Sequence, residues 1–170
     1  MDDLERLAER SRQLLADARF MTLATGDGVF PWASTVNYVA LWAPLRLLYY
    51  SLRTARHSRN VAHHPRVSGS IFLTGLPGFG LDGAQFTGTC RAVGPRAVAE
   101  YHRHYYLLNF PDEEVRRRWL LPEAEFRGAG PRRFYTVEVE RWWLLDIDRW
   151  LIDKHDRRIA VPLQALTTTA

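Results

Sequence analysis

Short segments that alternate apolar and polar residues, separated by turn residues, limit the fold more than any other feature of this sequence. The stretch AQFTGTCRAV alternates with a period of two, which is typical of a strand with one buried face. FMTLATGDGVFPWASTVNYVAL predicts two strands joined by the tight turn GDG, and LRLLYYSL, RVSGSIFLTG and RRFYTVEVERWWLLDI predict further strands. Five or six strands with short helices at one end indicate a mainly β, α+β fold, a small Greek-key barrel.

Helices are predicted in three places. Leucine and alanine recur at helical spacing over about residues 2–18, with charged residues on the other face, which predicts an amphipathic N-terminal helix. A short helix is predicted from Thr54, whose side chain can act as the N-cap, to His64. A helical insertion is predicted over about residues 95–121, and RWLID with RRIAVPL is predicted to form a hairpin. The length suits a single domain, 1–170.

Composition excludes several classes of protein. No apolar run approaches the roughly 18 residues that cross a bilayer, and the start MDDLERLAERSRQLL is too charged for a signal peptide, so we expect a cytoplasmic protein without a membrane partner. Cys90 is the only cysteine, which rules out an internal disulfide and a cysteine-rich zinc site. The net charge is +4, but 19 acidic residues and the scatter of the basic ones argue against a nucleic-acid partner.

The stretch SLRTARHSRNVAHHPRV, residues 51–67, concentrates positive charge where the short helix begins. Arg53, Thr54, Arg56 and His57 surround a helix N-terminus, which offers unpaired backbone N–H groups and the positive end of the helix dipole. Guanidinium groups make bidentate contacts with phosphate. The segment is therefore a candidate phosphate site. The alternative is a solvated basic helix in a chain whose arginine excess reflects a GC-rich genome.

Small polar residues interrupt one of the predicted strands. Ser34, Thr35 and Asn37 lie among apolar neighbours in PWASTVNYVAL, which is unusual for a strand that only has to pack. Either a polar ligand lies against them or the strand is near a sheet edge. Gln85, on another predicted strand, can both donate and accept hydrogen bonds, so it is either a ligand contact or a solvent-facing residue.

In their order and spacing, the motifs MTLAT, PWASTV, TARHSRNVAHHPRVSGSI and GAQFTGTCRAV resemble the pyridoxamine 5'-phosphate oxidase-like family of FMN-binding split barrels. The resemblance covers about residues 15–150. It implies a split β-barrel in which one strand passes under the flavin ring, the basic stretch holds the FMN phosphate, and a glutamine reaches the cofactor across a homodimer interface. The cofactor-binding residues implied by it are Ser34, Thr35, Val36, Asn37, Arg53, Thr54, Arg56, His57, Gln85 and Trp150.

Two positions depart from the family's pattern. His57 stands where the family usually has lysine, and a neutral imidazole is a weaker, pH-dependent contact for an anion. RWLIDKHDRR resembles the family's tryptophan followed by Arg-Leu-His-Asp-Arg, which favours Trp150 over Trp142 and Trp143, but the spacing is shorter and Lys154 replaces the first arginine. Since KHD also suits a polar turn, pyridoxal chemistry is not expected.

The resemblance favours an FMN-dependent oxidoreductase that acts on a small organic substrate at a homodimer interface. The alternatives are a deazaflavin coenzyme, a haem-binding split-barrel enzyme or carrier, and a flavin-binding protein without catalysis. Tyr38, Tyr101 and His104 are the reachable acid or base candidates, and none is assigned a catalytic role. Neighbouring histidines do not project from one face, so no chelated metal is expected. The candidate axial ligands for haem are His57, His63, His64 and His104.

Overall fold

The computed structural model describes residues 3–78 and 80–167. The strands are β1 (Phe20–Gly26), β2 (Pro31–Asn37), β3 (Val39–Leu41), β4 (Arg46–Leu52), β5 (Arg66–Thr74), β6 (Leu81–Ala92), β7 (Arg132–Leu145) and β8 (Arg158–Ala160). The helices are α1 (Asp3–Asp17), α2 (Arg56–His63), α3 (Val98–Asn109), α4 (Glu113–Trp119), α5 (Ile147–Asp153) and α6 (Leu163–Thr167), with 3-10 turns at Pro95–Ala97 and Glu123–Phe126.

The strands form one antiparallel sheet that curls into a half-barrel, which confirms the predicted split barrel. Its order is β2-β1-β5-β6-β7-β4-β3, and β8 pairs with β7. The described residues form eight strands, where the sequence predicted five or six. β3 was not predicted as a separate strand, because its three residues follow β2 after only one intervening residue. β8 lies within RRIAVPL, which was predicted as one half of the terminal hairpin.

The main hydrophobic core lies between one face of the sheet and α1. Leu23, Leu47 and Trp142 are buried from three different strands, and Leu14 of α1 packs into the same cluster. The indole Nε1–H of Trp142 donates to the hydroxyl of Ser11 at 3.0 Å. The N-terminal helix is thus fixed to β7 by a buried hydrogen bond as well as by apolar contacts.

A second cluster lies on the opposite face of the sheet, where the helical insertion covers β3, β4 and the first half of β7. Tyr105 and Tyr106 of α3 pack there against Leu48 and Phe134. The same face continues over β1, β5 and β6, where Gln85 is exposed and smaller polar residues are half-buried. We call this uncovered part the outer face.

Gly88 permits a close strand crossing between β6 and β7. The register shifts between Thr87 and Gly88, and a Cβ atom on Gly88 would lie 2.2 Å from the carbonyl oxygen of Glu138. Glycine is therefore required by backbone proximity at this position. The bulge increases the local bend of the two strands that form the middle of the sheet.

Two local predictions were wrong. The short helix begins at Arg56, with Ala55 rather than Thr54 at the N-cap. RWLID lies in α5, which is capped by Asp146 accepting a hydrogen bond from the N–H of Arg149 at 3.2 Å, so it does not form a hairpin with the segment that contains β8. The reason is that five apolar and polar residues at this spacing fit a helical turn as well as a strand, and the capping carboxylate favours the helix.

Candidate functional site

The N-terminus of α2 is open to a ligand. Its N-cap residue, Ala55, has no side-chain group that can accept a hydrogen bond, and no side chain caps the helix. The first backbone N–H groups of a helix have no partner within the helix and carry its partial positive charge. This end of α2 is therefore suited to an anion, as the sequence predicted, although Thr54 does not cap it.

His57, in the first turn of α2, joins two strands that do not pair with each other. Its Nδ1 lies 3.1 Å from the hydroxyl oxygen of Ser34 on β2, and its Nε2 lies 2.8 Å from that of Ser51 on β4. β2 ends the sheet on one side, and β4 is next to its other end. His57 therefore bridges the open seam of the half-barrel. We call Ser34, His57 and Ser51 the hydroxyl clasp.

The clasp contains no carboxylate. Burial lowers the pKa of His57 from its ordinary value of 6.5, since the charged imidazolium loses solvation. The ring of Tyr49 lies 6.2 Å from that of His57 and adds no charge at neutral pH. His57 is consequently a neutral bridge in the free protein near pH 7.

Arg56 lies beside the clasp on the same helix turn. Its guanidinium is 3.3 Å from the carboxylate of Asp27 in the β1–β2 turn, and its Cζ is 4.5 Å from the ring centroid of Trp32. Backbone N–H groups of Phe30 and Val29, followed by Arg56, lower the pKa of Asp27. The ion pair is half-exposed, so Arg56 can also reach a ligand at modest cost.

Two further arginines lie near the end of β4, Arg53 just after this strand and Arg133 on β7. The N–H of Arg53 donates to the carbonyl of Pro131 at 2.9 Å, and Arg133 is the cross-strand partner of Ser51. Burial, and then the positive charge of Arg53, lower the pKa of Arg133. The guanidinium of Arg133 donates to the carbonyl oxygens of Gly128 and Gly130, so it adds positive charge near the end of β4 while it is hydrogen-bonded to this loop. Sequence analysis did not select Ser51 or Arg133, because only the β4–β7 register places them together.

The structure divides the polar residues of β2 between two faces. Ser34 pairs with buried Leu23 and belongs to the clasp, whereas Thr35 is exposed on the outer face. Val36 is buried in the core. Asn37 donates to the carbonyl of Arg19 at 2.8 Å and accepts from the hydroxyl of Tyr105 at 2.6 Å. Their four side chains therefore do not line one surface, since strand residues alternate between faces.

Gln85 lies in the middle of a row that crosses the outer face. The successive cross-strand partners in this row are Thr35, Thr22, Ser70, Gln85, Trp143 and Ala160. The amide oxygen of Gln85 accepts a hydrogen bond from Nε of Arg158 at 3.0 Å. A groove of about 440 Å³ contains most of this row together with Arg158. We call it the outer groove.

The tryptophan beside Gln85 is Trp143, whereas the predicted contact Trp150 lies in α5. Nζ of Lys154 sits 4.7 Å from the ring centroid of Trp150. Trp143 and Arg158, rather than Trp150, lie beside Gln85, because the β7–β8 pairing brings them together although α5 separates them along the chain.

The other histidines lie at separate places. His63 and His64 are exposed on α2 and line a cavity of about 540 Å³ with Arg56, Arg59 and Asp27. His104 is on α3 in the helical insertion. Within residues 3–78 and 80–167, no group of three or more His, Cys, Asp or Glu side chains could hold a metal ion.

The tyrosines considered as acids or bases have structural partners. The hydroxyl of Tyr38 donates to the carbonyl of Leu15 at 3.2 Å, and burial raises its pKa. The hydroxyl of Tyr101 accepts a hydrogen bond from Arg46. These contacts tie the two tyrosines to helix packing rather than to the clasp or the outer groove.

The sequence matches the family model described as pyridoxamine 5'-phosphate oxidase over residues 7–146. The chain belongs to the pyridoxamine 5'-phosphate oxidase family. Thus the family that the motifs suggested is confirmed, and both the hydroxyl clasp and Gln85 lie within the matched region. No curated protein matches the sequence.

Solved structures of this family and its relatives share the fold. A haem-binding protein from Mycobacterium smegmatis has 20% identity and a TM-score of 0.65, with 94% of this chain and 59% of that chain covered. An FAD-binding protein from Mesorhizobium loti has 19% identity and a TM-score of 0.59, and the match covers 84% of this chain and 92% of that chain. A pyridoxine phosphate oxidase family protein from Clostridium acetobutylicum has 11% identity and a TM-score of 0.62, and the match covers 95% of this chain and 97% of that chain. Several cofactors thus occur on one architecture.

The described residues form six α-helices, of which α1 is the longest, with 15 residues. None of them is both long enough and apolar enough to cross a bilayer.

Proposed function

We propose that this protein binds FMN with its phosphate at the N-terminus of α2 and acts as a flavin-dependent oxidoreductase on a small organic substrate. The observation that supports this most directly is the uncapped helix end beside the hydroxyl clasp. A phosphate dianion needs several hydrogen-bond donors and compensating positive charge. The free N–H groups and two hydroxyls supply the donors, and Arg53, Arg56 and Arg133 supply the charge.

The residues around the clasp fit an FMN phosphate, although position 57 has a histidine and therefore no permanent positive charge. Ser34, Ser51, His57, Arg53 and Arg56 would hold the phosphate. Bound flavin supplies hydride or electron transfer, while the protein orients the ring and limits the access of water. No side chain near the clasp has the contacts of a general base, so we assign no catalytic residue.

The flavin site is proposed to be completed by a homodimer. The outer face carries the polar residues Thr22, Ser70 and Gln85, and Phe72 beside them is 54% exposed. In a dimer with a two-fold axis, a second copy of the chain would cover this face, and the polar residues and Phe72 would be removed from solvent. Gln85, Trp143 and Arg158 would then lie at the interface, where they could contact a flavin whose phosphate is held by the other protomer.

The experiment that tests the dimer is a measurement of mass in solution. We expect the wild type to sediment as a dimer. Thr22→Arg, on β1 in the same row, should sediment as a monomer with unchanged circular dichroism. Glu5→Arg, which introduces the same residue on the exposed face of α1, is the control and should stay dimeric. A wild-type monomer, or a Thr22→Arg dimer, contradicts the proposed interface.

Haem is a second candidate, favoured by the exposed imidazoles of His63 and His64 at the wall of a cavity. The absorption spectrum of the purified protein separates the candidates, because flavin, deazaflavin and haem have different bands. Reduction of a bound flavin by a nicotinamide or by substrate would support an enzyme, and a flavin that no donor reduces would support a non-catalytic binding protein.

The test of the FMN site is the difference between FMN and riboflavin, which differ only in the phosphate. We expect FMN to bind at least about tenfold tighter, as several charged hydrogen bonds require. Arg56→Ala should remove most of this difference, while Arg117→Ala on exposed α4 should preserve it. Equal affinity of the wild type for both flavins would overturn the proposal.

A further inference from the structure

The hydroxyl clasp has too few hydrogen atoms to serve an anion fully while His57 is neutral. A neutral imidazole has one N–H and one acceptor nitrogen. One serine of the clasp must therefore donate its hydroxyl hydrogen to the ring, and only the other hydroxyl hydrogen is free. The 3.1 Å and 2.8 Å contacts show that both ring nitrogens are occupied in this way.

Protonation changes this arrangement. An imidazolium has two N–H groups and would donate one to each serine oxygen. Both hydroxyl hydrogens are then free to donate to a third group. The proton adds one positive charge and one hydroxyl donor at the same place, without any movement of the strands.

No neighbouring charge on the protein compensates for the imidazolium. On β4, Tyr49 faces the ring, stacks on Tyr135 of β7 and contacts the thiol of Cys90 on β6. Burial raises the pKa of Tyr49, and it raises that of Cys90 to about 11, so neither of these two carries a charge near pH 7. Arg56 follows the N-cap of the same helix and is paired with the carboxylate of Asp27. Arg133 is the cross-strand partner of Ser51, repels Arg53 and donates to the carbonyls of Gly128 and Gly130. Among the described residues, none with a carboxylate forms an ion pair with His57.

We propose that an anion binding at the N-terminus of α2 is accompanied by uptake of one proton by His57. The proton comes from solvent and goes to the ring nitrogen that accepted a serine hydrogen. The bound dianion replaces the missing carboxylate and receives both serine hydroxyls. This inference rests on the proposed anion site, and it makes His57 a determinant of specificity for dianions, with affinity that increases as pH falls.

A lysine at position 57 would behave differently. Its ammonium is already charged at neutral pH, so it binds an anion without taking up a proton. It also cannot bridge Ser34 and Ser51 as an acceptor of either hydroxyl. His57→Lys is therefore the matched variant, since it keeps the positive charge and removes the proton linkage.

The test uses inorganic sulfate, which stays dianionic over the range in which histidine titrates. The ring resonances of His57, assigned from the spectrum of His57→Gln, are followed against pH with and without sulfate. We expect sulfate to raise the pKa of His57 and to leave that of exposed His155 unchanged. The affinity of the wild type should fall by up to about tenfold per pH unit above the pKa of His57, and that of His57→Lys should be independent of pH.

Calorimetry with FMN in two buffers of different ionisation enthalpy separates this inference from the proposed function. FMN binding with proton uptake in the wild type, and without it in His57→Lys, supports both. If FMN binds but the wild type and His57→Lys take up the same number of protons, the inference is overturned and the proposed cofactor site is still supported. Sulfate binding that protonates His57 in a protein that does not bind FMN supports the inference and overturns the cofactor assignment. Absence of binding by both anions overturns both.

Discussion

Replacing Ser51 with alanine measures how much the clasp contributes to phosphate binding. In the free protein this hydroxyl lies 2.8 Å from Nε2 of His57 and its residue is half-buried, so water can replace it at a cost of about 1 kcal/mol in stability. In the complex it donates to a charged oxygen, a hydrogen bond of about 1.5–3 kcal/mol. The affinity for FMN should therefore fall by about 10- to 150-fold.

The assay is a fluorescence titration of FMN and riboflavin with wild type, Ser51→Ala and Thr74→Ala. Thr74 is an exposed hydroxyl residue at the end of β5 and serves as the control. We expect Ser51→Ala to weaken FMN binding and to leave the weaker riboflavin binding unchanged. Equal weakening of both flavins would show that the hydroxyl positions the ring or the strand, and an unchanged affinity for FMN would refute the assignment of Ser51 to the phosphate.

Three further predictions concern the scaffold. Ser11→Ala leaves the buried indole N–H of Trp142 without its acceptor and should lower the free energy of unfolding by about 1–3 kcal/mol in urea; a change no larger than that of Gln13→Ala would contradict the role of this bond. Gly88→Ala places a methyl group 2.2 Å from the carbonyl oxygen of Glu138 and should lower the free energy of unfolding by at least about 1–3 kcal/mol. The thermal midpoint should therefore fall, and an unchanged midpoint would exclude the close crossing of the two strands. Because the folded pKa of His57 lies below its ordinary 6.5, the unfolded chain binds the extra proton first, so this contribution to stability is complete above about pH 6.5 and is lost as pH falls through the folded pKa. His57→Gln should flatten this acid limb of stability, and sulfate should do the same in the wild type; an acid limb identical in all three samples would contradict the burial of a neutral His57.

Local patterns identified most of the secondary structure. Period-two segments located six of the strands, and the helical spacing of leucines located α1, because side-chain periodicity within one element reflects which face is buried. The basic stretch was also correctly placed at the N-terminus of a helix. Ala55 as the N-cap could not be chosen over Thr54, since the last residue before a helix depends on a few degrees of backbone rotation.

The C-terminal motif shows why residue roles were harder to predict. Along the chain, Trp150 is the tryptophan nearest to the KHD segment, but in the structure Trp143 lies across from Gln85 and Arg158 bonds to Gln85. α5 separates Trp143 from Arg158 along the chain, and the pairing of β7 with β8 brings them together. Ser34 and Thr35, adjacent in sequence, likewise serve different faces of the sheet.

The sequence alone determined that this protein is a split barrel of the pyridoxamine 5'-phosphate oxidase family with a basic helix start. These properties were predicted from local periodicity, turn residues and short motifs. Only the tertiary structure showed that His57 joins Ser34 to Ser51 across the seam, and that Arg133 stands beside Arg53. Such contacts depend on the order and register of strands that are distant in the chain, and one residue of slip would turn the strand residues Ser34, Ser51 and Arg133 to the other face.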